Sequence, residues 1–174
     1  HRILGMITTE TYQLIFSDTP GIIPKPKYLL HENMMKHVNE AIEDADIILY
    51  IIDIADRDAA DQPILELLLT KNKKVVLILN KIDCLNQERV VEVMNYWKTK
   101  LSEESIVPIS ATKKFNIERI LNLSIDALPE HPAYFPEDEF TDKTERFLAA
   151  EVVREKIFNY YKKEIPYATE VIVT

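Results

Sequence analysis

The sequence predicts an α/β fold, a mostly parallel sheet with helices on both faces. Two near-continuous apolar runs of strand length, DIILYIID (Asp46–Asp53) and KVVLILN (Lys74–Asn80), have the pattern of strands covered on both sides. Segments with apolar residues at helical spacing separate and follow them. Strands alternating with helices imply right-handed crossovers and therefore parallel pairing. The composition permits such a core: of 174 residues, 47% are hydrophobic and 29% charged, unlike a disordered chain.

Taken in order, RILGMIT and TYQLIFS are β-branched and aromatic runs broken at Thr8-Thr9-Glu10, which predicts a hairpin over Ile3–Ser17. Tyr28–Asp44 places Leu30, Met34, Val38, Ala41 and Ile42 at helical spacing. Asp46–Asp53 is a strand. Ile64–Thr70 reads as a short helix with Pro63 in its first turn, where a missing N–H costs nothing. Lys74–Asn80 is the second buried strand. Gln87–Leu101 is a helix with Val90, Val91, Met94 and Trp97 inward, Ile106–Ser110 a short strand, and Asn116–Leu128 a helix with Ile117, Ile120, Leu121 and Leu128 inward. From Pro129 the texture changes to three prolines and a block of acids, a linker composition. Thr144–Glu164 is then a long helix with Phe147, Ala150, Ile157, Phe158 and Tyr161 toward one side. IPY interrupts it, and TEVIVT is an incipient strand. One helix and one strand cannot close a core alone, so the chain is expected to stop inside a second domain.

Charge and cysteine usage exclude several classes. A net charge of −8 argues against bulk electrostatic binding of nucleic acid, leaving only local basic patches. Cys84 is the single cysteine, so no internal disulfide is possible and a reducing cytoplasm is the expected compartment. No apolar run reaches membrane-spanning length, and His1-Arg2 does not begin a signal peptide. Glycine occurs only at Gly5 and Gly21, where average usage would give about a dozen. A GxxxxGK[ST] phosphate loop is thereby excluded from these residues.

Three predicted strands end in unusual polar groups, and in parallel sheets ligands sit outside the carboxyl ends of the strands. In Asn80–Asp83 (NKID), the Asp83 carboxylate can accept two hydrogen bonds from guanine's ring N–H and exocyclic amine, a pair adenine does not offer. Asn80 can tie neighbouring loops together, and the aliphatic stem of Lys81 can lie over a flat base. An ordinary Asx turn explains the four residues equally well. Ser110–Thr112 (SAT) adds backbone N–H groups from Ser110 and Ala111 that can meet the purine carbonyl. In Asp18–Gly21 (DTPG), Asp18 can hold magnesium through water and the Gly21 N–H can approach a terminal phosphate, though the string is also a good turn.

The order DxxG, NKxD, SA, each at a strand end, resembles the translation-factor-like GTPases of the P-loop class. The tail sharpens this. Phe135–Asp138, Thr141-Asp142, Arg146-Phe147, Ala149, Glu151, Val153–Lys156 and Ile165–Tyr167 are similar to the FPED…TD, RFxAxEx(I/V)REK and (L/I)PY elements joining the GTPase domain of the Era family to its RNA-binding KH domain. HRILG resembles the strand after that family's first switch.

The resemblance implies a P-loop GTPase-type sheet in residues 1–128 (lacking the first strand, phosphate loop and first switch), a linker at 129–143, and the first helix and strand of a type II KH domain at 144–174. It implies GTP or GDP bound by Asp18, Thr19, Pro20, Gly21, Ile22, Asn80, Lys81, Ile82, Asp83, Ser110, Ala111 and Thr112, with Mg2+ at Asp18, reached through water. The implied partners are small-subunit ribosomal RNA and the ribosomal small subunit, whose assembly the family assists. The expected place is the cytoplasm, with peripheral association at the inner face of the cell membrane as a further expectation, and a monomer is favoured.

Departures qualify these expectations. The family's phosphate loop would lie before His1 and its KH loop GxxG beyond Thr174, so these residues alone are expected to bind GTP poorly. The family has glycine where Lys114 stands. Ile22 and Ile23 follow Gly21, where Ras-like enzymes place a water-orienting glutamine, so slow intrinsic hydrolysis is expected. Two rival readings are a TrmE- or EngA-like GTPase, which the REK helix and IPY step oppose, and a nucleotide-free RNA-binding assembly scaffold. Cys84 is expected to be a small packed residue, Lys25 and Lys27 solvated, and His31 and His37 not metal ligands.

Overall fold

The computed structural model describes residues 3–19, 21–22, 29–55, 61–161 and 171–173. Packing divides the chain into two compact units, one comprising residues up to Asp18 together with those from Ala133 onward, the other Thr19–Pro132.

In the first unit, β1 (Ile3–Thr8) and β2 (Gln13–Asp18) form the predicted hairpin, antiparallel with Ile3 opposite Asp18 and Thr8 opposite Gln13. Thr9 closes the turn: its Oγ1 accepts the N–H groups of Thr11 at 3.3 Å and Tyr12 at 3.1 Å. Met6 and Leu14 are buried. The stretch expected as a linker is hydrogen-bonded to this hairpin from Tyr134 on. Gln13 accepts the N–H groups of Tyr134 (2.8 Å) and Phe135 (3.0 Å) on Oε1 and donates Nε2 to the Phe135 carbonyl (2.9 Å), so one carboxamide behaves as a piece of backbone. Met6 N–H donates to the Phe140 carbonyl at 2.9 Å, Gly5 bridges Thr141, and Leu4 N–H donates to Asp142 Oδ1 at 2.9 Å. The Lys143 ammonium and that Leu4 N–H together hold the Asp142 carboxyl below the ordinary carboxylate range.

Thr144 caps the next helix, accepting the Phe147 N–H at 3.3 Å. We label this C-terminal helix α5 (Glu145–Tyr160). It ends at Tyr161, which is extended at φ −107°, so it is shorter than the predicted 144–164; residues 162–164 lie outside the described residues. The inward stripe predicted for it is formed only in part, with Phe147, Ala150 and Ile157 half-buried. None of its residues is buried, and Phe158 and Tyr161 are 40% and 54% exposed, the former under the Arg154 guanidinium at 5.5 Å. The final strand is likewise not formed among the described residues 171–173.

The second unit carries the parallel sheet. α1 (Leu29–Asp44) leads into β3 (Ile47–Asp53), then α2 (Asp61–Leu69), β4 (Lys74–Asn80), α3 (Gln87–Lys98), β5 (Ile106–Pro108) and α4 (Ile117–Ile125). The strand order is β3-β4-β5, all parallel, with Ile47 beside Lys74 and Asp53 beside Asn80. Val75 through Leu79 of the central strand are all buried. Their alternation explains why the run is continuously apolar: Val75, Leu77 and Leu79 meet Leu65 and Leu68 of α2 and Trp97 of α3, while Val76 and Ile78 meet Val107, Ile109 and Ile120 of α4. Each such side chain contributes about 1.5–3 kcal/mol by leaving water. Val38 and Ala41 of α1 are buried as its spacing predicted.

Besides shifted helix bounds, with α2 beginning at Asp61 and α3 and α4 ending at Lys98 and Ile125, the packing and the last strand differ from the sequence expectation. Val91 is 50% exposed, and Val93 packs on the core beside Met94 instead. The strand at Ile106 stops at Pro108, because Ser110 turns away to bridge Phe115; Ile109 still donates to the Leu79 carbonyl at 2.8 Å. Lys73 closes the end of α1, its ammonium donating to the carbonyls of Glu43 (3.0 Å) and Ala45 (2.7 Å).

Candidate functional site

The carboxyl ends of β3, β4 and β5 bring the NKID and SAT segments together. The parallel register sets this: β4 delivers Asn80 at its last position, and the chain beyond β5 passes beside it. Asn80 is the latch, since its Oδ1 accepts the Lys81 N–H at 2.8 Å and the Ala111 N–H at 3.1 Å. Lys81 then takes a left-handed conformation, φ 67°, and a single 3-10 turn (Ile82–Cys84) follows, with Cys84 N–H on the Lys81 carbonyl at 3.0 Å. The half-buried Ile82 donates its N–H to the Ile109 carbonyl at 3.2 Å, a second tie between the loops. Asn86 starts α3, accepting the Arg89 N–H at 2.9 Å.

Asp83 points its carboxylate to solvent beside the SAT loop. The Ser110 hydroxyl does most to hold its pKa below the ordinary carboxylate value; desolvation opposes it, and the backbone N–H of Asp83, the Thr112 hydroxyl (3.4 Å from Oδ2) and the Lys113 charge add smaller lowering contributions. Ser110 is itself 1% exposed, its Oγ lying 3.2 Å from Thr112 Oγ1 and accepting the Lys113 N–H at 3.1 Å. The result is an exposed anionic acceptor beside the SAT hydroxyls.

The backbone amides of the SAT segment have partners within the protein. The Ser110 N–H donates to the Phe115 carbonyl at 3.3 Å and the Ala111 N–H to Asn80. The first closes the SAT turn and the second ties it to Asn80. The turn that follows holds Lys114 at φ 54° and Asn116 at φ 61°, with Asn116 Nδ2 donating to the Pro108 carbonyl at 2.9 Å. Lys114, where the sequence reading noted a missing glycine, therefore occupies a backbone conformation that glycine adopts more easily.

Sequence reasoning missed Asp53. It ends β3 in register with Asn80, its Oδ1 accepts the Ala55 N–H at 3.0 Å, and its Oδ2 accepts the Lys81 ammonium. Its place at the end of an apolar strand, like that of Asn80, was the available signal.

The DTPG segment is described in two parts. Asp18 ends β2 in the first unit, is exposed, and makes no side-chain hydrogen bond or ion pair among the described residues. Thr19 and Gly21, in the second unit, are exposed, and Ile22 is half-buried against the core of the parallel sheet. Pro20, Ile23, Lys25, Lys27 and Ile165–Tyr167 lie outside the described residues. Gly21 does not have a positive φ, and a Cβ there would meet no atom within 4 Å, so the described fold itself does not demand glycine at this position. A lone exposed carboxylate fits the limited, water-mediated share that a protein commonly supplies to magnesium, the substrate phosphates giving the inner ligands. No cluster of three metal-binding side chains occurs among the described residues. Cys84 is exposed, contrary to its predicted packing, and His37 lies 3.3 Å from Glu40. No described helix is long and apolar enough to cross a membrane.

With this geometry in hand, comparison with known proteins identifies the lineage. The family described as the elongation factor Tu GTP binding domain matches residues 4–130. GTPase Era of Clostridium botulinum (strain Hall) is 40% identical over 172 residues, 98% of this chain. The chain spans 58% of that relative's length. Among solved structures, Era in complex with MgGDPNP and nucleotides 1506–1542 of 16S ribosomal RNA has a TM-score of 0.81 at 35% identity, covering 96% of this chain and 57% of that one. A single-residue variant of Aquifex aeolicus Era bound to GDP.AlF4- gives a TM-score of 0.80 at 35% identity, covering 95% and 57%. The chain belongs to the elongation factor Tu GTP-binding domain family and, within it, to the Era GTPases.

Proposed function

We propose that the protein containing this chain binds guanine nucleotides at the ends of β3, β4 and β5, hydrolyses GTP to GDP and phosphate, and couples this to binding of small-subunit ribosomal RNA in assembly of the ribosomal small subunit. The observation that carries the base-reading part is the exposed Asp83 carboxylate beyond the end of β4, beside the SAT loop, with Thr112 Oγ1 3.4 Å from its Oδ2. An acceptor-only group with two oxygens matches guanine's adjacent ring N–H and amine donors, and would repel the carbonyl that xanthine carries there.

In this reading Lys81 covers the base with its stem, Asn80 keeps the two loops in register, and Ile82, Ser110, Ala111 and Thr112 support them. Asp18 reaches Mg2+ through water, and Thr19, Pro20, Gly21 and Ile22 pass the terminal phosphate, Gly21 offering its N–H where no side chain blocks approach. Bound magnesium supplies charge neutralisation on the terminal phosphates. Ile22, packed on the core, has no group to orient water, which supports slow intrinsic hydrolysis. The RNA partner is supported by the Era neighbour solved with a 16S ribosomal RNA segment, and α5, none of whose residues is buried, is where the proposed KH domain begins. The residue division 1–128, 129–143 and 144–174, cytoplasmic placement, a monomeric state and peripheral membrane association complete the proposal.

The test is competition for a fluorescent GDP on the full-length protein. Unlabelled GDP should displace it at least about 100-fold better than ADP or XDP, since a mismatched polar edge leaves buried groups unpaired. Equal displacement by ADP defeats the reading.

A further inference from the structure

We propose that Asp53 is a positioning residue of the nucleotide site: acting through Lys81, it fixes in advance the aliphatic stem that lies over the purine base. The inference rests on the guanine-nucleotide reading above. Asp53 and Asn80 end neighbouring parallel strands in register. The Asp53 carboxylate is oriented by its own turn, with Oδ1 on the Ala55 N–H at 3.0 Å, which leaves Oδ2 for the Lys81 ammonium. Lys81 is therefore held at both ends: its N–H on Asn80 Oδ1 at 2.8 Å, its ammonium on Asp53.

Two features argue that this arrangement serves a ligand. Lys81 sits at φ 67°, where glycine or asparagine would rest more easily, so a long cationic side chain is kept at a position that selects against it. The pair is also at the rim, with side chains 51% and 35% exposed, where ion pairs add little to folding. What the pair does fix is the direction of four methylene groups. A flexible lysine loses its rotamer freedom when a base lands on it, and a lysine already extended between two anchors loses less. Asp53 does not touch the base, so it should change affinity without changing which purine is preferred.

The experiment measures equilibrium binding of N-methylanthraniloyl-GDP and its xanthine counterpart to the full-length protein. Asp53→Ala should weaken GDP binding about three- to tenfold, the range for one charge-assisted bond at a partly exposed site. The GDP-to-XDP ratio should not change. Asp53→Asn, which keeps the acceptor for Ala55, should move affinity in the same direction. Lys81→Ala should weaken binding at least as much, and the Asp53→Ala/Lys81→Ala double variant should be no weaker than Lys81→Ala alone. Multiplying effects in the double variant, or Asp53 variants that lower the melting temperature while leaving affinity intact, overturn the positioning role. Asp83→Asn is the control arm. If it shifts preference to XDP while Asp53 variants stay silent, only the Asp53 role falls. If it produces no shift, the base-site reading falls and takes the Asp53 role with it.

Discussion

At the end of β4, one carboxamide oxygen of Asn80 binds two backbone amides, the hydroxyls of Ser110 and Thr112 lower the Asp83 pKa, and Lys81 is anchored on Asp53. At the end of β2, Asp18 is exposed and its side chain is held by no other described residue. Both segments end strands and both carry an aspartate suited to a nucleotide, yet among the described residues only the first is held by side-chain partners. A base-reading group must be rigid to discriminate between purines. A group that meets magnesium through water gains little from rigidity, because the ion's own hydration shell defines the geometry. The difference is what the two proposed roles, base reader and water-bridged partner of magnesium, would call for.

Substitutions can break or sharpen this contrast. The largest effect should come from the floor on which the latch stands. Leu77→Ala, at a fully buried site in β4, should cost about 2–5 kcal/mol in urea unfolding. Next, Asn80→Ala removes the acceptor for two amides and should cost about 1–3 kcal/mol together with guanine-nucleotide binding. Asp18→Asn should leave stability within about 0.5 kcal/mol and alter only the magnesium dependence of binding. Equal destabilisation by the two changes would erase the contrast. Lys114→Gly should stabilise by about 0.5–1 kcal/mol through relief of its left-handed backbone, read as a higher urea midpoint.

The smallest effect is in pH. The Asp83 pKa is lowered in the folded state, so its contribution is present above the unfolded value of about 3.9 and is lost as pH falls through the lower folded value. Nucleotide affinity should therefore hold from neutrality down past pH ~4 and fall below it. Ser110→Ala, which removes the largest cause of the shift, should move that acid limb upward. An unmoved limb would show that Ser110 does not hold the carboxylate.

Much of the parallel sheet was legible because burial on both faces forces a continuous apolar run, and Val75–Leu79 obey it. NKID and SAT follow such strands and are brought together at their carboxyl ends, whereas DTPG ends a strand of the antiparallel hairpin. Three-dimensional partnerships were not legible. Asp53 reads as a strand end until the register places it beside Asn80. The Ser110 and Ala111 amides read as available donors until Phe115 and Asn80 are seen to take them. The stretch after Pro129 reads as a linker because its composition hides Gln13, whose side chain supplies the missing partner 121 residues away. The α5 stripe was legible only in part: periodicity states which residues could share a buried face, and here Phe147, Ala150 and Ile157 are half-buried while Phe158 and Tyr161 are exposed.

The central claim is that Asp83, braced by the SAT hydroxyls, reads guanine. The most direct measurement is competition binding with Asp83→Asn in the full-length protein. The amide can donate to a carbonyl where the carboxylate repels it, so the account predicts that preference inverts from GDP to XDP by about 100-fold or more while the fold is retained. A variant that binds GDP as tightly as the parent, with XDP still excluded, would contradict it.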